Sequence, residues 1–460
     1  MARIVPFRAL RPDRHYAARV AALPYDVIDV EEAREIAGGN PWSFLHVEKS
    51  EIDLPDYPHV EDGLVFRTAA RNLEKMREEK ILVQDPEPYL YVYAQEMYGR
   101  CQYGIVAAVS VREYETGLIK KHEHTRADKE QERIGHVDAV SAQTGPVFIA
   151  YRKREDIDAV VSLIAQSPPE YDFVASDGIA HRVWVVADPA AVGILTAAFA
   201  QAPALYIADG HHRAAAAAAV ARRRRELDPV PSPDRPHESF LAVLFPHDQL
   251  RIMDYNRAVR DLHGLSGNDF LARISENFNV FTDLSDPSPR RRREFGMYLD
   301  GTWRRLVFRK ELPVSPDPVR ALDVSILQEY LLEPILGIGD PRTDRRIDFI
   351  GGIRGMEELE RLVDSRRFAV AFSMYPTTMG ELMGVADTGL VMPPNRPGSN
   401  RSSAAVCSFT SSEGFRRRRR WDGAALSGSR FRCCASGSAD LCRRCPDHHR
   451  RGWMKDSRPR

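Results

Sequence analysis

The stretch Ala204–Val220, ALYIADGHHRAAAAAAV, constrains the fold of this chain more than any other. Leu205 to Ala208 is an apolar run of the length of a buried strand. Asp209-Gly210 is turn chemistry, because glycine adopts backbone angles that other residues resist. Ala214 to Arg225 then reads as a strong helix, since alanine loses no side-chain entropy there and arginine is nearly as good. Strand, bend and helix thus gather Asp209, Gly210, His211, His212 and Arg213 at a helix N-terminus. Unpaired backbone N–H groups and the helix dipole favour an anion at that place. Arg213 adds a planar fork that matches phosphate or carboxylate oxygens. Asp209 is suited to bind a metal or take a proton. The plainer account is that Asp209 caps the helix, which aspartate does well, and that the histidines are solvated surface groups. The grouping of all five residues on one bend after a buried strand favours a phosphate-handling turn.

At 460 residues the chain exceeds one typical core, so two or more packed units are expected. No apolar run is long enough to span a bilayer, and Met1 to Leu10, with Arg3 and Arg8, has no signal-peptide apolar region. A cytoplasmic protein is expected. Its 65 Lys+Arg balance its 65 Asp+Glu, but residues 396–460 hold 16 of the former and 5 of the latter, which leaves residues 1–395 at −11. So acidic a body argues against nucleic acid as a partner. Five of the six cysteines also lie beyond 395, so the body, with Cys101 alone, reads as a reduced cytosolic chain.

Taken in order, Ile4–Arg8 and Val20–Pro24 read as extended segments. Asp26 follows the Pro24-Tyr25 turn as a second candidate acid, although a turn aspartate needs no further role. Val30–Ala37 is helical with Asp29 as N-cap, and Ser43–Val47 reads as a strand. Leu64–Glu79 is an amphipathic helix, and Tyr89–Gln95 with Gln102–Val111 forms a hairpin turned at Gly99. The polar loop Lys120–Lys129 contains Lys121, His122, Glu123, His124 and Thr125, ahead of a helix from Glu130 to Ala142. His-Glu-His is not the i, i+4 histidine pair of a zinc protease, so a phosphate-compatible loop without protein metal ligands is expected. Strands are expected at Val147–Tyr151, His181–Val186 and Phe240–Phe245, with helices at Glu155–Gln166 and Pro189–Gln201. In Ile252–Val259, Asn256 and Arg257 interrupt an apolar segment; an edge-strand charge and a substrate role are equally open for Arg257. From Gly267 short strands alternate with helices, among them Val324–Leu332, Met356–Ser365 and Thr377–Val385. The class is α+β, or mixed α/β: a ligand-binding region over 1–265, a second α/β region over 266–395 packed on it, and a tail over 396–460.

The tail has no apolar periodicity and is expected to be disordered. Cys433-Cys434, Cys442-Arg443-Arg444-Cys445 and His448-His449 mimic zinc-ligand spacing. A frame slip accounts for the tail better. Asn395–Ala405 can be written in codons that, with one base restored, read Lys-Ser-Thr-Trp-Phe-Glu-Pro-Lys-Leu-Arg-Ser, a sensible continuation of Met392-Pro393-Pro394.

Several strings together resemble a bacterial and archaeal family known as domain of unknown function 1015. They are Ile4–Pro12, Pro24–Ile28, Asn40–Val47, Lys121–Thr125, Ala208–Arg213, Tyr255–Arg257 and Met392–Pro394. The resemblance covers Met1 to about Asn395, and it implies a Lys-Ser-Thr-aromatic continuation that this chain lacks. Its Asp-Gly-His-His-Arg turn is similar to that of ParB-like free-serine kinases, some members implying a pyrophosphate donor. The resemblance implies a strand–turn–helix site that binds L-serine and either pyrophosphate or a nucleotide, with Mg²⁺ and no organic cofactor. In that picture Gly210, His211, His212 and Arg213, with Lys121 and His122, hold the donor. Asp209 or Asp26 orients or deprotonates the hydroxyl, Glu123 stands in reserve, and Asn256, Arg257, Tyr25 and Thr125 hold the acceptor. No Gly-x-x-x-x-Gly-Lys-Ser/Thr loop is present, which excludes a Walker-type donor site. The competing functions are a ParB-like nucleotide-binding regulator without catalysis and a metal-dependent hydrolase.

Overall fold

The fold is described from a computed structural model. It describes residues 2–393 and 410–411, apart from 56, 229, 231, 283–285, 312–316 and 342. The expectations placed on the rest of the tail lie outside the described residues.

The first part of the chain supplies β1 (Ile4–Val5), β2 (Ala9–Pro12), β3 (Leu82–Gln84), β4 (Leu90–Met97), β5 (Arg100–Ser110), β6 (Ile119–Lys120), β7 (Val147–Tyr151), β8 (Tyr171–Val174), β9 (Ala180–Val186), β10 (Leu205–Asp209) and β11 (Ser239–Pro246). The second supplies β12 (Tyr255–Val259), β13 (Phe278–Phe281), β14 (Glu294–Leu299), β15 (Thr302–Phe308), β16 (Ile347–Gly351) and β17 (Val370–Met374), and β18 (Thr410–Ser411) pairs with β2. This is the mixed α/β class the alternation of elements implies.

The larger sheet runs β6-β10-β7-β11-β5-β4-β9-β8, with β1 taking the end of β5 beyond β4. β11 lies between β7 (parallel) and β5 (antiparallel), and it is apolar along most of its length because both its faces are buried, Phe240, Ala242 and Leu244 in one core and Leu241, Val243 and Phe245 in another. In β4 the alternation is plain. Leu90, Val92 and Ala94 point to one core, while Tyr91 and Tyr93 point to another. The helix His211–Leu227 lies on the first of these faces through Ala214, Ala217, Ala218 and Ala221. Its opposite side, Ala216 and Val220, packs on Ile134 and Val137 of the helix Ala127–Val140. An alanine helix is used here because it is enclosed on two sides, and methyl groups let sheet and helix approach closely.

The second sheet, β13-β15-β14-β17-β12-β16, is antiparallel throughout. Both sheets fall in one compact unit, Met1–Phe415. The helix Met379–Asp387 closes onto the first sheet: Met379, Leu382 and Met383 pack against Ala150 and Tyr206. Asp387 receives Lys120, Arg152 and Tyr206 at 2.6–2.8 Å. Among the described residues, no helix is long and apolar enough to cross a membrane.

Asp29 does cap Val30–Ala37, as half of a reciprocal box with Glu32. The structure departs from the sequence expectations at four places. Ser43–Val47 is not a strand; Leu45–Glu48 is a helical turn, since a short apolar run alone does not separate the two. Val20 closes another helical turn, Ala17–Val20. The helix expected to stop near Pro334 continues to Leu336 through a π-turn at Gln328–Leu332, which accommodates a residue without an N–H. Tyr255–Val259, grouped with the first region by sequence, belongs to the second sheet.

Candidate functional site

The bend after β10 is built from three local features. The pairing of β10 with β7 shifts register between Ile207 and Asp209, an irregularity that re-aims the strand end. Gly210 follows at φ +91, where a side chain is strained, and a Cβ there would sit 3.4 Å from Val147 Cα. Gly210 is the helix N-cap and no side chain caps it, so Asp209 is not the helix cap. The first N–H groups of the helix are left to other partners.

β6 runs parallel to β10, with Ile119 and Lys120 opposite Leu205 and Tyr206. The loops leaving the two strands therefore emerge side by side, and this brings His122 and Glu123 to the Asp209 bend. The rings of His122 and His211 meet edge to face with centroids 4.5 Å apart. His211 Nδ1 lies 3.7 Å from Glu123 Oε2, and the His122 N–H reaches His211 Nε2 at 3.5 Å.

All of this opens on a cavity of about 940 Å³. The Asp209 side chain is exposed on the wall of that cavity. Crowding by protein atoms pushes its pKa up; Arg213 opposes the shift and Asp26 adds to it. Burial, with Asp209 adding to it, raises Glu123 to about 7. Burial lowers His122 to about 4 and takes His211 well below its ordinary value, with His122 and His212 contributing to the latter. The site thus presents neutral imidazoles beside two acids with raised proton affinity.

Arg213 is buried and committed. Its Nη1 donates to the Pro146 carbonyl at 2.8 Å and its Nη2 to both Asp26 oxygens at 3.2–3.3 Å. Burial pulls its pKa down, and Asp26 and Asp209 more than restore it. Behind this pair stands a layer that sequence reading did not assign to the site. Arg133 contacts Glu48 at 3.2 Å and Thr144 at 3.4 Å, and His136 Nε2 meets the Val47 carbonyl at 2.9 Å. The Tyr25 ring lies between two guanidinium groups, 4.1 Å from Arg133 and 5.7 Å from Arg213. The available signal was Arg133 and His136 three apart on one helix, a spacing that puts both on the same face.

Of the residues singled out from sequence, Tyr25, Asp26, His122, Glu123, Asp209, Gly210, His211, His212 and Arg213 line the one cavity. Four do not. Lys121 lies over the Tyr114 ring at 3.9 Å, and Thr125 Oγ1 donates to Glu130. Asn256 is engaged locally, donating to the Asp254 carboxylate and accepting from the Met374 N–H of the neighbouring strand. Arg257 is not an edge charge: β12 is flanked on both sides, its guanidinium donates to the Tyr255 carbonyl and lies over Phe349 at 4.7 Å, and burial lowers it to about 10. Tyr255, Thr377, Met379, Leu382 and Met392 join the cavity wall instead.

A family model described as "Protein of unknown function (DUF1015)" matches residues 4–325, and the chain belongs to that family. No curated protein matches it. Among solved structures, a conserved hypothetical protein from Pyrococcus furiosus is similar at 12% identity, covering 63% of this chain and 88% of its own, with a TM-score of 0.28. A free serine kinase in complex with AMP is similar at 13% identity, over 63% and 84% of the two chains, with a TM-score of 0.31. SbnI with C-terminal truncation, from Staphylococcus aureus, stands at 9%, 66% and 81%, also with 0.31. Likenesses this remote assign neither activity nor site residues.

Proposed function

We propose that this DUF1015 member is a cytoplasmic small-molecule phosphotransferase, related to ParB-like free-serine kinases, that makes O-phosphoserine from L-serine with pyrophosphate or a nucleotide as donor. One observation carries the reading: a carboxylate of raised proton affinity, Asp209, stands beside an uncapped helix N-terminus inside a cavity large enough for both substrates. The N–H groups of the first helical turn, with the half-buried His212, receive the donor's phosphate. Asp209 takes the proton of the acceptor hydroxyl, a role for which a pKa shifted towards neutrality is suited. Asp26 is oriented by Arg213 and acts on the acceptor's position rather than its proton. An Asp26 oxygen is the hard donor that Mg²⁺ prefers, and Mg²⁺ would offset the donor's charge there.

Supplying L-serine with labelled pyrophosphate, ADP or ATP tests this. Labelled phosphoserine is expected, reduced by about 10²–10⁴ in Asp209→Asn, as for loss of a general base. Absence of product with every donor overturns the reading, and full activity in Asp209→Asn removes Asp209 from it.

A further inference from the structure

We infer that His122, Glu123 and His211 form a binding site for one divalent first-row transition ion at the wall of the cavity. One ligand atom from each lies within 4.8 Å of the others. The two loops that carry them are fixed by the parallel pairing of β6 and β10, so their approach is set by the sheet.

His122 supplies the independent sign. Its side chain is nine-tenths buried, yet its Nδ1 has no hydrogen-bond partner. Buried polar atoms are seldom left so. A buried ring nitrogen that no protein group occupies is free to ligate a metal ion.

The Glu123–His211 separation agrees. At 3.7 Å it is too long for a hydrogen bond. It is near the roughly 3.4 Å that separates two ligands on a tetrahedral ion with bonds of about 2.05 Å. Ligation through His211 Nδ1 places that ring's proton on Nε2, which then no longer accepts from the His122 N–H 3.5 Å away, so that pair must move apart. Two nitrogens and one carboxylate suit zinc, cobalt, iron or manganese, whereas Mg²⁺ and Ca²⁺ prefer oxygen. Three protein ligands leave positions open towards the cavity.

The test is binding of Co²⁺ to the full chain, stripped with chelator, kept reduced and followed by visible d–d absorption. Sulfur-to-cobalt charge transfer in the near ultraviolet separately reports any ion taken by Cys433, Cys434, Cys442 and Cys445. One equivalent is expected to bind without that charge transfer, to be displaced by Zn²⁺, and to bind about tenfold or more weakly in Glu123→Gln and His122→Gln. Glu123 is 46% exposed, so Glu123→Gln keeps the fold even where His122→Gln does not. No sulfur-free d–d absorption in the folded protein, or equal affinity in the wild type and Glu123→Gln, overturns the site. The readout involves no turnover, so it stands or falls apart from phosphotransfer.

Discussion

The buried pair behind the cavity makes a quantitative prediction. Burial alone would raise the Glu48 carboxyl; the charge of Arg133, then His136 and a Thr144 hydrogen bond, hold it at about 2 against an ordinary 4.5. That difference of roughly 2.5 units corresponds to about 3 kcal/mol of stability. Its folded pKa is depressed, so the contribution is complete above pH 4.5 and is lost as pH falls towards 2. Glu48→Gln leaves Arg133 buried without its counter-charge, which independently costs about 3–5 kcal/mol. Urea unfolding followed by tryptophan fluorescence at a series of pH values is the assay. Glu48→Gln is expected to lower stability by about 3 kcal/mol at pH 7, by roughly half of that near pH 3 and by little at pH 2. An equal deficit at both ends, or one below about 1 kcal/mol at pH 7, refutes the assignment of Glu48 as a paired buried charge.

Three further outcomes follow from particular contacts. Gly135→Ala, inside a helix, would ordinarily stabilise; here the new Cβ meets the Phe66 ring at 2.4 Å, so a loss of about 1–3 kcal/mol is expected in thermal melts. Gly210→Ala is expected to cost about 1–2 kcal/mol from its left-handed backbone, and to weaken pyrophosphate binding measured by calorimetry. Burial lowers His136 to about 4, so its protonation favours the unfolded chain and stability is lost as pH falls from 6.5 through 4. In His136→Gln, that part of the acid slope should be missing from the same unfolding series.

The Met392 N–H donates to the His122 carbonyl at 2.8 Å, so the chain reaches the cavity wall just before residue 395. A version carrying the restored frame after Pro394 is therefore expected to show higher phosphotransfer than the present chain, measured side by side with labelled donor.

The strand–bend–helix was legible because each of its signals is local: an apolar run, an Asp-Gly pair and an alanine run. The Asp29 cap and the Gly99 hairpin were legible for the same reason. What joins His122 and Glu123 to His211 is a parallel strand pairing across 85 intervening residues, which no local pattern encodes. Glu48 follows directly on a segment misread as a strand, and Arg133 and His136 read as an ordinary polar helix face until burial revealed them. Asn256 and Arg257 erred the other way: polar residues in an apolar strand suggested a ligand, whereas backbone groups and the nearby Asp254 carboxylate engage them.

The most direct measurement is a crystal structure of the chain soaked with pyrophosphate. Phosphate oxygens are expected within hydrogen-bonding distance of the His211 and His212 N–H groups, with Asp209 facing the remaining space. Pyrophosphate bound elsewhere while that helix end stays empty would contradict the account.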